Sequence, residues 1–192
     1  MVLDRSKKGA MRMSLLESEF TALRHTIVIR GTVRVVLLVV TLLGWSALTI
    51  ALLLFSTLPV ASVYTLAVLA AGFEAIHALH VGVERIGRYL QVYFEAEGDG
   101  PRWETTAMAV GPSLPGGGID PLFTVLFASA AVLNVIPALL PEAAPIELGV
   151  LATLHVGFLF RVVRARGAAA RQRAVELESF RALKSRQSET KP

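Results

Sequence analysis

Apolar and polar positions divide the chain into long uncharged runs separated by short interruptions. Val35 to Phe55 is 21 residues without a charge, and no charged residue occurs between Arg34 and Glu74. A membrane span needs about 20 apolar residues. This stretch therefore predicts two spans, about 35–55 and 60–83, joined near Ser56 to Ser62 with Pro59 at the turn. Phe123 to Leu140 follows Asp120, and Ile146 to Phe160 leads into Arg161. Extended by Pro121 and by Ala143 to Pro145, they predict a third and a fourth span at about 121–140 and 144–163, with Pro137 bending the third near its outer end.

Upstream of these runs the period changes. Leu16, Phe20, Leu23 and Ile27 form one apolar stripe at helical spacing, and Ser14 with Glu17 has the spacing of a capping box. Residues 14–30 are expected to form an amphipathic helix lying in a membrane surface, ended at Gly31. The other reading of the same stripe is a helix that extends the first span or packs on the cytoplasmic loop. Residues 1–13, with Arg5, Lys7, Lys8 and Arg12, are expected to be a disordered basic arm.

The most informative stretch is Gly72 to Glu95. It starts apolar and then collects Glu74, His77, His80, Glu84, Arg85, Arg88, Gln91 and Glu95. At about 100° per residue all eight lie within roughly 140° of arc, so one face of one helix carries them. The phase is kept across the expected membrane boundary, which predicts that the second span continues as helix to about Glu95. Ala71, Ala75, Ala78 and Gly82 fall beside this face and suit close helix approach.

Composition agrees with the membrane class. Hydrophobic residues make up 54% of 192 and charged residues 18%, with mean hydropathy +0.59, too apolar for an ordinary soluble domain. The first run begins too late and is too long for a secretory signal, so it is expected to stay as an anchor. With no cysteine, disulfides, thiolate metal sites and palmitoylation are excluded.

Charge then orients the chain. Seven Lys/Arg lie from the start to Arg34 and nine from Arg161 onward, with none in the turns at 56–62 and 141–145. Positive residues favour the cytoplasmic side. The expectation is a multi-pass protein of the cell inner membrane: all-α, four transmembrane helices as two hairpins (domain 33–163), both termini cytoplasmic. The cytoplasmic loop 84–120 is net acidic and its part from Gly98 to Gly118 is Gly- and Pro-rich, suiting a linker. The tail 164–192 is expected to be a basic helix to about Leu183, lying against the acidic loop. Arg161, Arg164, Arg166, Arg171 and Arg173, five arginines in 13 residues, form a candidate contact for anionic lipids. Nucleic acid is not an expected partner.

The chemistry-bearing candidates are few. Counting about 1.5 Å per residue from Val60 and from Ala144, Glu74 lies roughly 21 Å and His155 roughly 17 Å from the outer edge. These depths predict a Glu74–His155 pair, with Ser129 and Asn134 as further hydrogen-bonding groups. Glu74, His77, His80 and His155 are the intramembrane polar cluster, and Glu84, Arg85 and Arg88 a cytoplasmic polar face. Glu74-x-x-His77 has the spacing of carboxylate-bridged di-iron bundles but lacks a second copy, so no metal is assigned. A b-type haem needs two facing histidines, and His77 and His155 differ by about 9 Å in depth; no cofactor is expected. No catalytic residue is assigned. The expected role is a non-enzymatic accessory or scaffold subunit working through helix–helix contacts with other membrane subunits or itself. The alternatives are an oligomeric proton- or cation-linked transporter using Glu74, His77 and His155, and a haem-bearing electron carrier.

Overall fold

The computed structural model describes residues 2–95, 102–110, 121–140 and 142–190. All the regular structure among them is helical. Helix α1 runs Val2–Phe55, a single 3-10 turn follows at Pro59–Ala61, and α2 runs Ser62–Leu90. A π-helical turn, Gln91–Glu95, closes α2. Then come α3 (Trp103–Val110), α4 (Pro121–Leu133), the short α5 (Ile136–Leu139) and α6 (Pro145–Glu189). Three of these helices are long and apolar enough to cross a membrane, those containing Ser14–Phe55, Pro59–Glu95 and Pro145–Glu189; Phe123–Leu139 is apolar but shorter.

The core sits where α2, α4 and α6 meet, with α1 laid along one side. Phe73 on α2 meets the rings of Phe127 (α4) and Phe158 (α6) edge-on, at centroid distances of 5.3 and 6.0 Å. That arrangement places ring edges against ring faces, the favoured geometry for aromatic pairs. Leu66, Leu69, Ile76, Ala130, Ala131, Val162 and Ala165 complete the buried cluster, and Leu37, Leu38, Leu42 and Trp45 of α1 pack against it. Gly72 matters for the α1–α2 approach: a Cβ there would run into the side chain of Thr41, itself buried. Only glycine lets the two backbones come so close.

Several expectations need correction. No break occurs at Gly31, and the segment expected as a disordered arm is helical from Val2. A glycine costs a helix only about 1 kcal/mol against alanine, and Gly31 has open space around it, so nothing forces the chain to turn. The 14–30 segment does not form a separate surface helix but packs along the extension of α2. Phe20 meets Phe94 at 5.6 Å, Tyr89 donates to Glu19 at 2.8 Å, and Arg24 pairs with Glu104 at 3.0 Å. This is the second of the two readings the stripe allowed.

The linker expected over 98–118 contains helix α3. Its N-terminus is held by Glu95, whose carboxylate accepts from the backbone N–H groups of Glu104 and Thr105 and from the Thr105 hydroxyl, each at 2.8 Å. Free N–H groups at a helix start need an acceptor, and here a side chain nine residues upstream supplies it. The Gly run at 115–118 lies outside the described residues. The third apolar run is interrupted by a turn at Asn134 and Val135, three residues earlier than the bend assigned to Pro137; Pro137 instead sits in the first turn of α5, where its missing N–H costs nothing. Helix α6 continues to Glu189, beyond the expected end at Leu183. The extension of the second helix to Glu95 is present as the polar stripe predicted.

Candidate functional site: two buried polar junctions and an outward ion pair

The first junction is centred on Asn134, which is fully buried at the turn between α4 and α5. Its Oδ1 accepts from Trp45 Nε1 at 2.9 Å, and its Nδ2 donates to the Ser62 carbonyl at 3.0 Å. Indole N–H is only a donor and a carbonyl only an acceptor, so these two contacts fix the amide orientation. The third contact, Nδ2 to His155 Nε2 at 3.1 Å, therefore makes Nε2 an acceptor. The His155 proton then resides on Nδ1, which donates to the Leu151 carbonyl at 2.8 Å. His155 is thus a neutral imidazole with both ring nitrogens used, 4% exposed.

The expected Glu74–His155 pair is not formed. Depth along two helices does not specify which way each side chain points, and Asn134 at the helix break reaches His155 instead. Glu74 pairs with Arg161 Nη2 at 2.7 Å on the outside of the bundle, where the two side chains are 49% and 42% exposed. His77 stacks nearly parallel on Phe73 at 5.9 Å, and the Arg161 guanidinium lies 5.7 Å from that same ring. His80 takes a hydrogen bond at Nδ1 from Arg34 Nη1, at 3.0 Å. Because arginine only donates, the His80 proton resides on Nε2. Among the described residues there is no group of three or more His, Asp and Glu side chains placed to hold a metal ion. Ser129 is exposed.

The second junction lies past the apolar part of α2, and it ties α2 to the basic tail. Arg88 is 4% exposed and sits between Glu84 (3.0 Å) and Glu176 (2.6 Å). Glu176 also takes Arg85 at 2.8 Å, and Glu84 takes Arg173 at 2.6 Å. Gln172 adds a hydrogen bond to Glu176 at 2.7 Å. The expected attraction between loop and tail is therefore reciprocal, with each helix supplying both acids and bases. Glu84–Arg88 and Gln172–Glu176 are i,i+4 neighbours visible in the sequence; the cross-helix contacts that bury them are not. Burial pushes the Glu176 carboxyl up, but hydrogen bonds from Arg85, Arg88 and Gln172 outweigh it and leave its pKa below the ordinary 4.5. Glu104 is shifted the other way, raised by burial and by nearby Glu95 despite the opposing Arg24.

Of the five tail arginines, Arg161 and Arg173 are committed to carboxylates. Arg164 lies over the Phe160 ring at 5.5 Å, and Arg171 is exposed. The Arg166 side chain lies outside the described residues. Trp45, Arg34 and Glu176 carry contacts although none was a candidate from sequence. A signal is present for two of them: Arg34, Thr41 and Trp45 recur at i, i+7 and i+11, one face of α1. Compared with known proteins, the chain matches no family model, no curated protein and no solved structure.

Two outcomes are expected. Asn134→Leu removes one group and strands Trp45 Nε1 and His155 Nε2, at about 1–3 kcal/mol for each partner left unsatisfied, while the Ser62 carbonyl keeps the Thr65 hydroxyl at 2.8 Å. Its thermal unfolding temperature in detergent should fall well below that of Ser129→Leu, and equal stability would refute the junction. Glu176, with its folded pKa below the unfolded value, adds stability that is fully present above about pH 4.5 and is lost as pH falls through the folded pKa. Glu176→Gln should therefore be less stable than wild type at neutral pH, with the gap closing on acidification; a gap that persists in acid would contradict the ion network.

Proposed function

We propose that this chain is an integral protein of the cell inner membrane that acts as a non-enzymatic accessory or scaffold subunit through helix–helix contacts. The membrane assignment rests on the three long apolar helices and on where their side chains point. Only 6% of the most apolar window of α1 is buried, and 22% in each of the other two. Val36, Val40 and Leu43 are each more than half exposed, as is Leu54, an apolar surface that water would not support. Four crossings are proposed, α4 with α5 making the fourth: Pro121–Leu139 spans roughly 28 Å at 1.5 Å per residue, close to a hydrocarbon layer of about 30 Å. The Lys/Arg distribution supports a cytoplasmic location for both termini.

The observation that carries the subunit reading is the Glu74–Arg161 pair. It lies on the outer surface of the bundle, and Glu74 is roughly 21 Å along α2 from the expected outer edge. An arginine near a helix end can reach headgroups, but a half-exposed carboxylate facing acyl chains is costly. A neighbouring helix with hydrogen-bonding groups removes that cost. Ala71, Ala75 and Ala78 are exposed beside Glu74, and small side chains admit a second helix at close range. The neighbour is another membrane subunit or a second copy of the chain.

A proton- or cation-linked transporter built on Glu74, His77 and His155 requires the three to share a path. Here they are held separately, by Arg161, Phe73 and Asn134, which favours the subunit reading. An electron carrier that ligates haem through His155 Nε2 would first have to break its hydrogen bond with Asn134.

The test compares Glu74→Gln and Glu74→Leu in mild detergent, following oligomeric mass and co-purifying proteins, with proton flux in liposomes alongside. Glu74→Gln should keep assembly, because an amide still accepts a hydrogen bond, while Glu74→Leu should lose at least tenfold of the assembled form. Wild-type liposomes should show no flux. A flux abolished by Glu74→Gln with assembly intact would replace the subunit reading with the transporter.

A further inference from the structure

A partly enclosed cavity of about 60 Å³ lies between α1, α2, α4 and α6, at the end of the bundle nearer the ion network. Its walls are mostly apolar, including Phe73, Phe127 and Val162, but Arg34 and His80 also line it. Arg34 forms no ion pair with a carboxylate among the described residues; its guanidinium has His80 Nδ1 at 3.0 Å and the Phe123 ring at 5.1 Å. A sheltered charge without a counter-charge is unfavourable. Two hydrogen-bonding atoms of these lining residues are buried without a partner: Arg34 Nε and His80 Nε2.

Both of these atoms are donors. Arginine Nε always carries a proton, and His80 must carry its proton on Nε2 because Nδ1 accepts from Arg34. The nearest carboxylate oxygen to His80 Nε2, on Glu84, is 3.6 Å away, too long for a hydrogen bond. Glu84 is in any case neutralised by Arg88 and Arg173, so it does not supply the charge that Arg34 lacks. The other ion pair at this end, Glu74 with Arg161, is closed on itself. The residues lining the cavity therefore carry two unused N–H donors and one positive charge without a carboxylate partner among the described residues, beside apolar walls.

We propose that this cavity binds the anionic head of a membrane amphiphile, a carboxylate or phosphate accepting from Arg34 Nε and His80 Nε2, with the start of its acyl chain against Phe73, Phe127 and Val162. The volume suits a headgroup and a few carbons, not a whole chain, since a single water needs about 10–15 Å³ on the same measure. A basic pocket between helices at the cytoplasmic side is where such heads are recognised. A neutral acceptor such as a quinone carbonyl satisfies the donors but leaves the Arg34 charge uncompensated. This inference rests on the membrane placement proposed above but not on the subunit reading, since it concerns a different face of the bundle.

The experiment is native mass spectrometry of the delipidated full chain in a neutral detergent, with four probes: oleate, dioleoyl phosphatidylglycerol, dioleoyl phosphatidylcholine and decylubiquinone. At least one anionic probe should be retained tenfold or more over both probes without net charge, and which of the two wins distinguishes a fatty acid from a phospholipid as the source. Arg34→Gln, which removes the charge, and Ala169→Leu, which fills the cavity from α6, should each reduce that retention by at least tenfold. Equal retention of charged and uncharged probes, or undiminished retention in a folded Ala169→Leu, overturns the proposal. If Arg34→Gln does not fold, the wild-type charge comparison and Ala169→Leu decide the matter.

Discussion

The amide of Asn134 is the constraint on which the arrangement of the helices depends. Three groups from three different segments converge on it: the Trp45 indole of α1, the Ser62 carbonyl at the start of α2, and the His155 ring of α6. In a bundle this apolar, contacts between one Leu or Val and another discriminate weakly between registers, and the Gly72–Thr41 approach and the Phe73 ring cluster add only local constraints. A buried amide has no such freedom. Its donors and acceptor each cost about 1–3 kcal/mol if left unmade, so a slip of one turn in any of the three segments is penalised at once. In lipid, with no water to substitute, the same demand is sharper.

From that fixed point the rest of the molecule follows in order. The break in the third apolar run at Asn134 frees its side chain to reach three helices, and Pro137 restarts the chain as α5. One level further along, Phe73 packs between Phe127 and Phe158 and carries His77 on its face. Beyond the apolar layer the Glu84–Arg88–Glu176 network locks α2 to α6, and Glu95 holds α3 against them. Each end of the α2–α6 contact thus has its own polar lock, neutral at Asn134 and ionic at Arg88. Buried ionic locks are weak sources of net stability but are costly to break one partner at a time, which suits fixing a geometry more than strengthening it.

Much of the helical architecture is legible in periodicity alone. An uncharged run of 21 residues fits a long apolar helix and little else, and a polar stripe that keeps its phase through Glu95 requires one continuous helix beneath it. Direction and partnership are not legible in this way. Glu74 and His155 have similar counted depths, yet one points outward to Arg161 and the other inward to Asn134; a helical wheel gives relative angles on one helix and nothing about the neighbour. Gly31 reads as a break because glycine is a poor helix former, but with no proline and no positive φ demanded, a helix simply runs through it. Helix α3 is hidden because its cap, Glu95, is supplied from another element. Arg34 reads as one more positive residue at a membrane edge, although its spacing to Thr41 and Trp45 places it on the inward face of α1.

The central claim is that the Glu74 face of α2 is covered by a neighbouring helix while the outer face of α1 meets lipid. Since the chain contains no cysteine, single cysteines report on this without background. Ala75→Cys, exposed beside Glu74, should react slowly with a lipid-soluble maleimide in native membranes, and where the neighbour is a second copy it should also give a disulfide-linked dimer on mild oxidation. Val40→Cys, 58% exposed in wild type, should label readily and form no such product. Equal labelling of the two positions, with no cross-linked product from Ala75→Cys, would contradict the account.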